Sequence, residues 1–91
     1  MILSEIQDRM SKLDNWGLES GTMLSKDFIF DSFKRAMNFV NQVAEVVERV
    51  NHFPSILIDK TIVRVVSVTH GEHGLTSKDF DLAEEIDKIG K

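Results

Sequence analysis

The sequence predicts an α+β domain in which helices pack on one face of a four-stranded antiparallel sheet, with element order α-β-β-α-β-β-α. Three observations lead to this fold class. A helical repeat of apolar residues fills 31–51, two segments rich in Ile and Val follow Pro54, and a hairpin pattern precedes the long helix. The strands are joined by short turns rather than crossovers, which favours antiparallel pairing. We expect one domain over residues 1–91.

The first three elements are short. Ser4 and Gln7 form a capping-box pattern ahead of apolar residues at helical spacing, so the first helix is expected over 4–13. Residues 16–19 and 22–30 then flank a Ser-Gly turn, and their alternation predicts a β-hairpin. Trp16 in this hairpin is expected to be a structural residue.

The long helix is the strongest signal in the chain, with Asp31 as its expected N-cap. The apolar residues that repeat every three to four positions, and are expected to pack on the core, are Phe33, Ala36, Met37, Val40, Val43, Ala44, Val47 and Val50. Phe39 and Val46 lie off this stripe. They are either scattered surface residues or, as we favour, a contact surface for another subunit.

The second half of the chain predicts two strands and a helix. Strands are expected in 55–59 and 61–70, with a turn near Asp59-Lys60. Thr76 and Asp79 form a capping-box pattern that begins the final helix. The apolar residues that carry this helix are Phe80, Ala83, Ile86 and Ile89.

Composition excludes several function classes. The net charge is −4 and the densest basic stretch is the pair Lys34-Arg35, so direct nucleic-acid binding is not expected. The chain has no cysteine for a disulfide framework or a thiolate metal site. Its first ten residues lack the apolar core of a signal peptide, and no apolar run reaches the roughly 18 residues of a membrane helix. A cytoplasmic location without membrane contact is expected.

Three histidines at element ends are the candidate chemical groups: His52, His70 and His73. Imidazole exchanges protons near neutral pH, so two of them at one sheet rim could serve as acid and base on a bound ring. The alternative is that each is a solvated loop histidine. A metal site built from His70, Glu72 and His73 is a further alternative, although a short loop rarely directs two imidazoles at one ion.

Several motifs in order across the whole chain carry a family resemblance. They are Trp16, Phe28-x-Phe30, Phe39-Val40-Asn41-x-Val43-Ala44, Glu48-x-x-x-His52-x-Pro54, Thr69-His70, Gly74-Leu75-Thr76 and Asp79-Phe80-x-Leu82-Ala83. With these motifs the chain resembles the pterin-4a-carbinolamine dehydratases, a family that includes the dimerisation cofactor of an animal homeodomain transcription factor. The interval from His52 to His70 also equals the family's spacing.

The resemblance implies a reaction and an assembly. The reaction removes water from 4a-hydroxytetrahydropterin and gives the quinonoid dihydropterin of tetrahydrobiopterin recycling, with a pterin as substrate and no metal or organic cofactor. The assembly is a homodimer joined edge to edge through the sheets, often paired into a homotetramer through the long helix.

The resemblance also implies site residues. His52 and His70 are the proton-transfer candidates, and Glu48 is an auxiliary candidate. Independently of the resemblance, His73 is a second auxiliary candidate, because it could replace the missing second histidine if its loop folds inward. The residues expected at the pterin are Asn51, Phe53, Val68, Thr69 and Gly71.

The chain departs from the family pattern at several positions. Phe53 stands where the family has a second histidine, and Lys60 stands where it usually has an aromatic residue. Val68 and Gly71 replace more polar residues. Phe53 could stack on a flat ring but cannot transfer a proton. The competing function is therefore a catalytically weak or inactive oligomeric module that binds a protein partner.

Overall fold

The computed structural model describes residues 1–69 and 74–90, and it confirms the predicted fold class and element order. The elements are α1 (Leu3–Met10), β1 (Gly17–Glu19), β2 (Met23–Ile29), α2 (Phe33–Val50), β3 (Ser55–Asp59), β4 (Ile62–Ser67) and α3 (Ser77–Ile89). The four strands form one antiparallel sheet in the order β1-β2-β4-β3.

One face of the sheet is buried against the helices. Strand alternation places Phe28 opposite Val63 on this face, with Leu24 and Val65 in neighbouring positions. All four side chains are at least 94% buried, as the alternation in β2 and β4 predicts. The two remaining positions that β2 and β4 contribute to this face carry polar side chains, Lys26 and Ser67, and both have partners on α3.

Both ends of α2 are capped by polar residues. The N-cap is Ser32, whose hydroxyl accepts from the Arg35 amide, so the prediction of Asp31 is wrong by one residue. Asp31 instead pairs with Arg35 at the surface. At the other end Asn51 takes a left-handed conformation, with φ 56°, and its amide donates to the Val47 carbonyl. A left-handed residue ends a helix and turns the chain, and asparagine tolerates that conformation well.

The buried side of α2 differs from the predicted stripe. Phe39 and Val46, expected at a subunit contact, are 4% and 7% exposed and belong to the core. Phe39 packs on Phe28 and Phe30, with ring centroids 4.6 and 5.0 Å apart. That prediction is wrong because α2 has apolar residues over a wide arc, and its neighbours cover the flank that contains Phe39. Phe33, on the other flank, is 57% exposed.

The two shorter helices are linked by the side chain of Arg9. α1 ends at Met10 rather than residue 13, and its N-cap is Ile2, whose amide donates to the Glu5 carboxylate. The predicted Ser4–Gln7 box is therefore not the cap. Arg9 joins α1 to α3 through salt bridges to Asp81 and Glu84. The helices thus form a layer on one side of the sheet.

The α3 prediction is confirmed in its start and in most of its buried face, although Ile89 is only half-buried. Thr76 is the N-cap and forms a capping box with Asp79. The fully buried apolar residues of α3 are Phe80, Leu82, Ala83 and Ile86. Within residues 1–69 and 74–90, no helix has the length and hydropathy needed to cross a membrane.

Candidate functional site

The segment at the end of β4 and the first turn of α3 bring three polar side chains together in the interior. Ser67 continues the buried face of Val63 and Val65, and Thr69 lies two positions further along. Opposite them, Asp79 sits in the first turn of α3. Ser67, Thr69 and Asp79 are 1%, 8% and 0% exposed, so each needs a hydrogen-bond partner inside the protein.

Asp79 is the centre of this cluster. Its Oδ1 accepts from Ser67 Oγ at 2.6 Å and lies 2.7 Å from His52 Nε2. Its Oδ2 accepts from Thr69 Oγ1 at 2.6 Å and from the Thr76 amide at 3.0 Å. We call these five residues, His52, Ser67, Thr69, Thr76 and Asp79, the Asp79 cluster. It joins the end of α2, the end of β4 and the start of α3.

The cluster keeps Asp79 ionised. Burial alone raises the pKa of its carboxyl, but the four hydrogen bonds together outweigh burial and hold the pKa below its ordinary value of 3.8. Ser67, Thr69 and the Thr76 amide all act as donors to the two oxygens. The position of Asp79 near the α3 N-terminus also favours negative charge.

This charge state fixes the role of His52. An ionised carboxylate can only accept hydrogen bonds, so the Nε2 atom of His52 must carry the proton that points at Asp79. The hydrogen bonds of the described residues engage only this ring nitrogen. The imidazole is 12% exposed, which leaves a small part of the ring at the surface. His52 reaches this position because Asn51 ends α2 and redirects the chain towards β3.

The structure describes the positions of five other predicted site residues. Phe53, next to His52, is 59% exposed, so its ring does not fill the core. Asn51 and Glu48 are exposed at the end of α2, and Val68 is half-buried. The Thr69 hydroxyl is engaged with Asp79.

Several predicted site residues lie outside the described residues. They are His70, Gly71, His73 and, from the metal alternative, Glu72. The pairing of His52 with His70 therefore stays a prediction.

The described clefts lie away from His52. One of about 540 Å³ is lined by Gln42, Glu45, Val46, Arg49 and Ile89, and another of about 460 Å³ continues along α2 past Phe39. A third of about 270 Å³ lies beside Asp87 at the far end of α3. None of these three clefts is lined by His52.

Sequence reasoning did not place Asp79 and Ser67 in the candidate site. Asp79 was assigned as the third residue of a capping box and as part of a family motif, and the capping box accounts for its bond to the Thr76 amide. The signal that could have found the cluster is Ser67, a polar residue at a buried position of a strand otherwise filled by valines. Such a residue requires a polar partner from another element.

Comparisons with known proteins agree with this architecture. A family model described as pterin 4 alpha carbinolamine dehydratase matches residues 3–89. A crystal structure titled transcriptional coactivator/pterin dehydratase, from Brucella melitensis, superposes with a TM-score of 0.93 at 28% identity. That superposition covers 100% of this chain and 98% of the other.

Curated relatives cover nearly the whole chain as well. A Nostoc protein is 44% identical over 93% of this chain and 90% of its own length. One from Trichormus variabilis is 43% identical over 94% and 91%. One from Sulfurisphaera tokodaii is 36% identical over 93% and 90%. All three are provisionally named pterin-4-alpha-carbinolamine dehydratases.

Proposed function

Because this chain belongs to the pterin 4 alpha carbinolamine dehydratase family, we propose that it removes water from 4a-hydroxytetrahydropterin and so serves tetrahydrobiopterin recycling. The observation that carries the proposal is the buried, ionised Asp79 that holds one ring nitrogen of His52 at 2.7 Å. A histidine oriented in this way is suited to proton transfer.

The reaction moves only protons and water. The C4a–O bond breaks and its electron pair leaves with the oxygen, which must be protonated because hydroxide is a poor leaving group. A ring nitrogen supplies the electron pair that forms the new C=N bond, and that nitrogen loses its own proton. One proton is given and one is taken, so the step is redox-neutral and requires neither metal nor organic cofactor.

His52 supplies one of these proton transfers in the proposed mechanism. Its Nε2 atom is committed to Asp79, so Nδ1 is the nitrogen that exchanges a proton with the substrate. His70 remains the proposed partner for the second transfer. We propose that Asn51, Phe53, Val68, Thr69 and Gly71 surround the pterin, with Glu48 and His73 as auxiliary residues.

Phe53 has the properties of a stacking residue in this scheme. It follows His52 directly in the chain, and more than half of its surface is exposed. An aromatic face can stack on a flat bicyclic ring, although it cannot replace a second histidine in proton transfer. We therefore expect Phe53 to contribute to pterin affinity and His52 to contribute to turnover.

The test is a dehydration assay on freshly prepared carbinolamine, which follows the quinonoid product. His52→Gln should lower kcat by about 10²–10⁴-fold, the usual contribution of a positioned acid–base group. The matched control is Arg64→Gln, which changes an exposed residue on the opposite face of the sheet and should keep the parent rate. If His52→Gln keeps the parent rate, the role of His52 is wrong.

The competing function is a non-catalytic interaction module, motivated by Phe53 in place of a histidine. The same assay decides between the two. A parent protein that does not exceed the spontaneous dehydration rate, and does not bind pterin at high concentration, supports the interaction module. Trp16 is a poor reporter of pterin contact, because it is buried beside Asp87, about 12 Å along α3 from Asp79.

We also infer a homodimer or homotetramer in the cytoplasm, the assembly and location expected from the sequence. Phe33, Met37 and Ala44 are spaced four and seven residues apart and therefore share one face of α2, on which Phe33 and Ala44 are exposed and Met37 is half-buried. β3 is an edge strand with Leu57 59% exposed. Light scattering should give a mass of two or four chains, and Phe33→Ser should lower it. A monomer at high concentration contradicts the inference.

A further inference from the structure

The geometry points to Asp79 as the positioning residue of the site: its carboxylate holds the proton of His52 on Nε2 and thereby makes Nδ1 the nitrogen that faces the reaction. The catalytic part of this inference rests on the proposed function. The structural part, the location and fixed orientation of one proton, does not.

Asp79 is suited to this task because its own orientation is fixed. Each carboxylate oxygen has two hydrogen-bond partners, and the four partners come from the end of α2, the end of β4 and the start of α3. Rotation of the carboxyl group would break four hydrogen bonds at once. The side chain is also completely buried, so water does not compete for its oxygens.

The donors around Asp79 have fixed directions as well. The Thr69 hydroxyl donates its only proton to Asp79 Oδ2. In the 3.0 Å contact between Thr69 and Thr76, the Thr76 hydroxyl must therefore donate and Thr69 Oγ1 must accept. The Thr76 oxygen in turn accepts from the Lys78 amide at 3.3 Å. A chain of hydrogen bonds therefore runs from the first turn of α3 into the carboxylate, with every proton directed towards Asp79.

One residue thus performs two tasks that are usually separate. Asp79 closes the capping box of α3 through Oδ2, and it orients His52 through Oδ1. The capping task needs only one of its oxygens. The second oxygen, shared by His52 and Ser67, is the part of the arrangement that the cap does not explain.

The first experiment observes the parent protein, in which the site is intact. In a proton–nitrogen correlation spectrum of the imidazoles, a surface histidine loses its N–H signal through rapid exchange with water. The His52 Nε2 proton should be seen directly, because it is held by a buried carboxylate. His52→Gln assigns the signal by removing it. If the neutral His52 ring carries its proton on Nδ1, or no protected proton is present, the inference is overturned.

The second experiment compares Asp79→Asn with a matched control, Asp87→Asn. Asp87 is also a buried carboxylate of α3, but it bonds Trp16, Lys26 and the Asp14 amide and has no contact with His52. Asp79→Asn offers one acceptor oxygen in place of two, so the His52 proton signal should shift or disappear. We expect kcat to fall about 10- to 100-fold, with KM within about twofold of the parent.

The two variants separate positioning from general destabilisation. Asp87→Asn should keep both the His52 signal and the parent kcat at temperatures where it is folded. If Asp79→Asn keeps both, Asp79 is only a structural residue. If Asp79→Asn does not fold, Ser67→Ala replaces it, since it removes one donor from the shared Oδ1 and should shift the same signal; an unchanged signal overturns the inference.

Failure of this inference is distinguishable from failure of the proposed function. A protected Nε2 proton in a protein without dehydratase activity overturns the catalytic part and leaves the orientation of His52 in place. An active enzyme without that proton overturns the role of Asp79 and leaves the dehydratase assignment in place.

Discussion

The two ends of α3 each bury a carboxylate, and the two are satisfied by different kinds of partner. Asp79, in the first turn, is bonded by hydroxyls, an amide and the imidazole of His52. Asp87, eight residues later, is bonded by the Trp16 indole at 2.9 Å and the Lys26 ammonium at 2.8 Å. Lysine and tryptophan ordinarily keep their protons at neutral pH, whereas imidazole exchanges its proton there.

This difference separates a structural contact from a candidate functional one. The Asp87 contacts fasten the β1–β2 hairpin to α3, because Trp16 and Lys26 both belong to that part of the chain. Lys26 also lies 4.6 Å from the centre of the Phe28 ring, so its charge is covered on two sides. The Asp79 cluster instead orients a group that can give and accept a proton. Burial of a carboxylate alone therefore does not identify a site, and the chemistry of its partners does.

The largest effect on stability is expected at the Asp87 end. Asp87→Asn leaves the Lys26 ammonium, whose side chain is 11% exposed, without its anionic partner. Loss of one member of a buried ion pair typically costs about 3–5 kcal/mol, and the low end applies here because Lys26 can extend towards water. Urea unfolding measures the free energy, and emission of Trp16 should change because its indole loses a charged acceptor.

Asp79→Asn provides the comparison for that measurement. It should cost about 2 kcal/mol, from donors left unpaired, and should leave the emission of folded Trp16 unchanged. Equal changes in Trp16 emission in both variants would show that the two ends of α3 are not independent. The distinction between a structural end and a functional end would then fail.

A smaller change in the unfolding free energy is expected when the pH is lowered. The folded-state pKa of Asp79 lies below its ordinary value of 3.8, so its ionised form stabilises the folded protein at every pH above that value. As the pH falls from 3.8 through the lower folded pKa, the carboxylate is protonated and the stabilisation is lost. The difference in unfolding free energy between the parent and Asp79→Asn should therefore shrink as the pH falls below 3.8.

Urea unfolding at a series of pH values, followed by Trp16 emission, measures this difference. A difference that stays constant down to the lowest pH at which both proteins fold would show that Asp79 does not gain stability from its charge. The assignment of Nε2 as the donor to Asp79 would then lose its basis.

Much of the fold was predictable because its signals are local. Short turns, the alternation in β2 and β4, and the Thr76–Asp79 box each involve residues that are neighbours in the chain. The misplaced cap of α2 was an error of one residue between Asp31 and Ser32, both of which are good capping residues. The misjudged face of α2 has a different cause. Its apolar arc is wider than one contact surface, and only the neighbouring elements determine which flank is covered.

The candidate site was predictable in part. His52 was identified from its place at the end of a helix, together with the family resemblance. The prediction that Trp16 is structural is confirmed by its burial and its bond to Asp87. The Asp79 cluster was not found, because its partners are 10, 12 and 27 residues from Asp79 in the chain.

The sequence by itself determined the order of helices and strands and the turns between them, since these depend on interactions within a few residues. The tertiary structure decided which side of α2 is buried and which partners surround each buried carboxylate of α3. Such contacts join segments far apart in the chain, and they form only when the sheet and helices pack and exclude water.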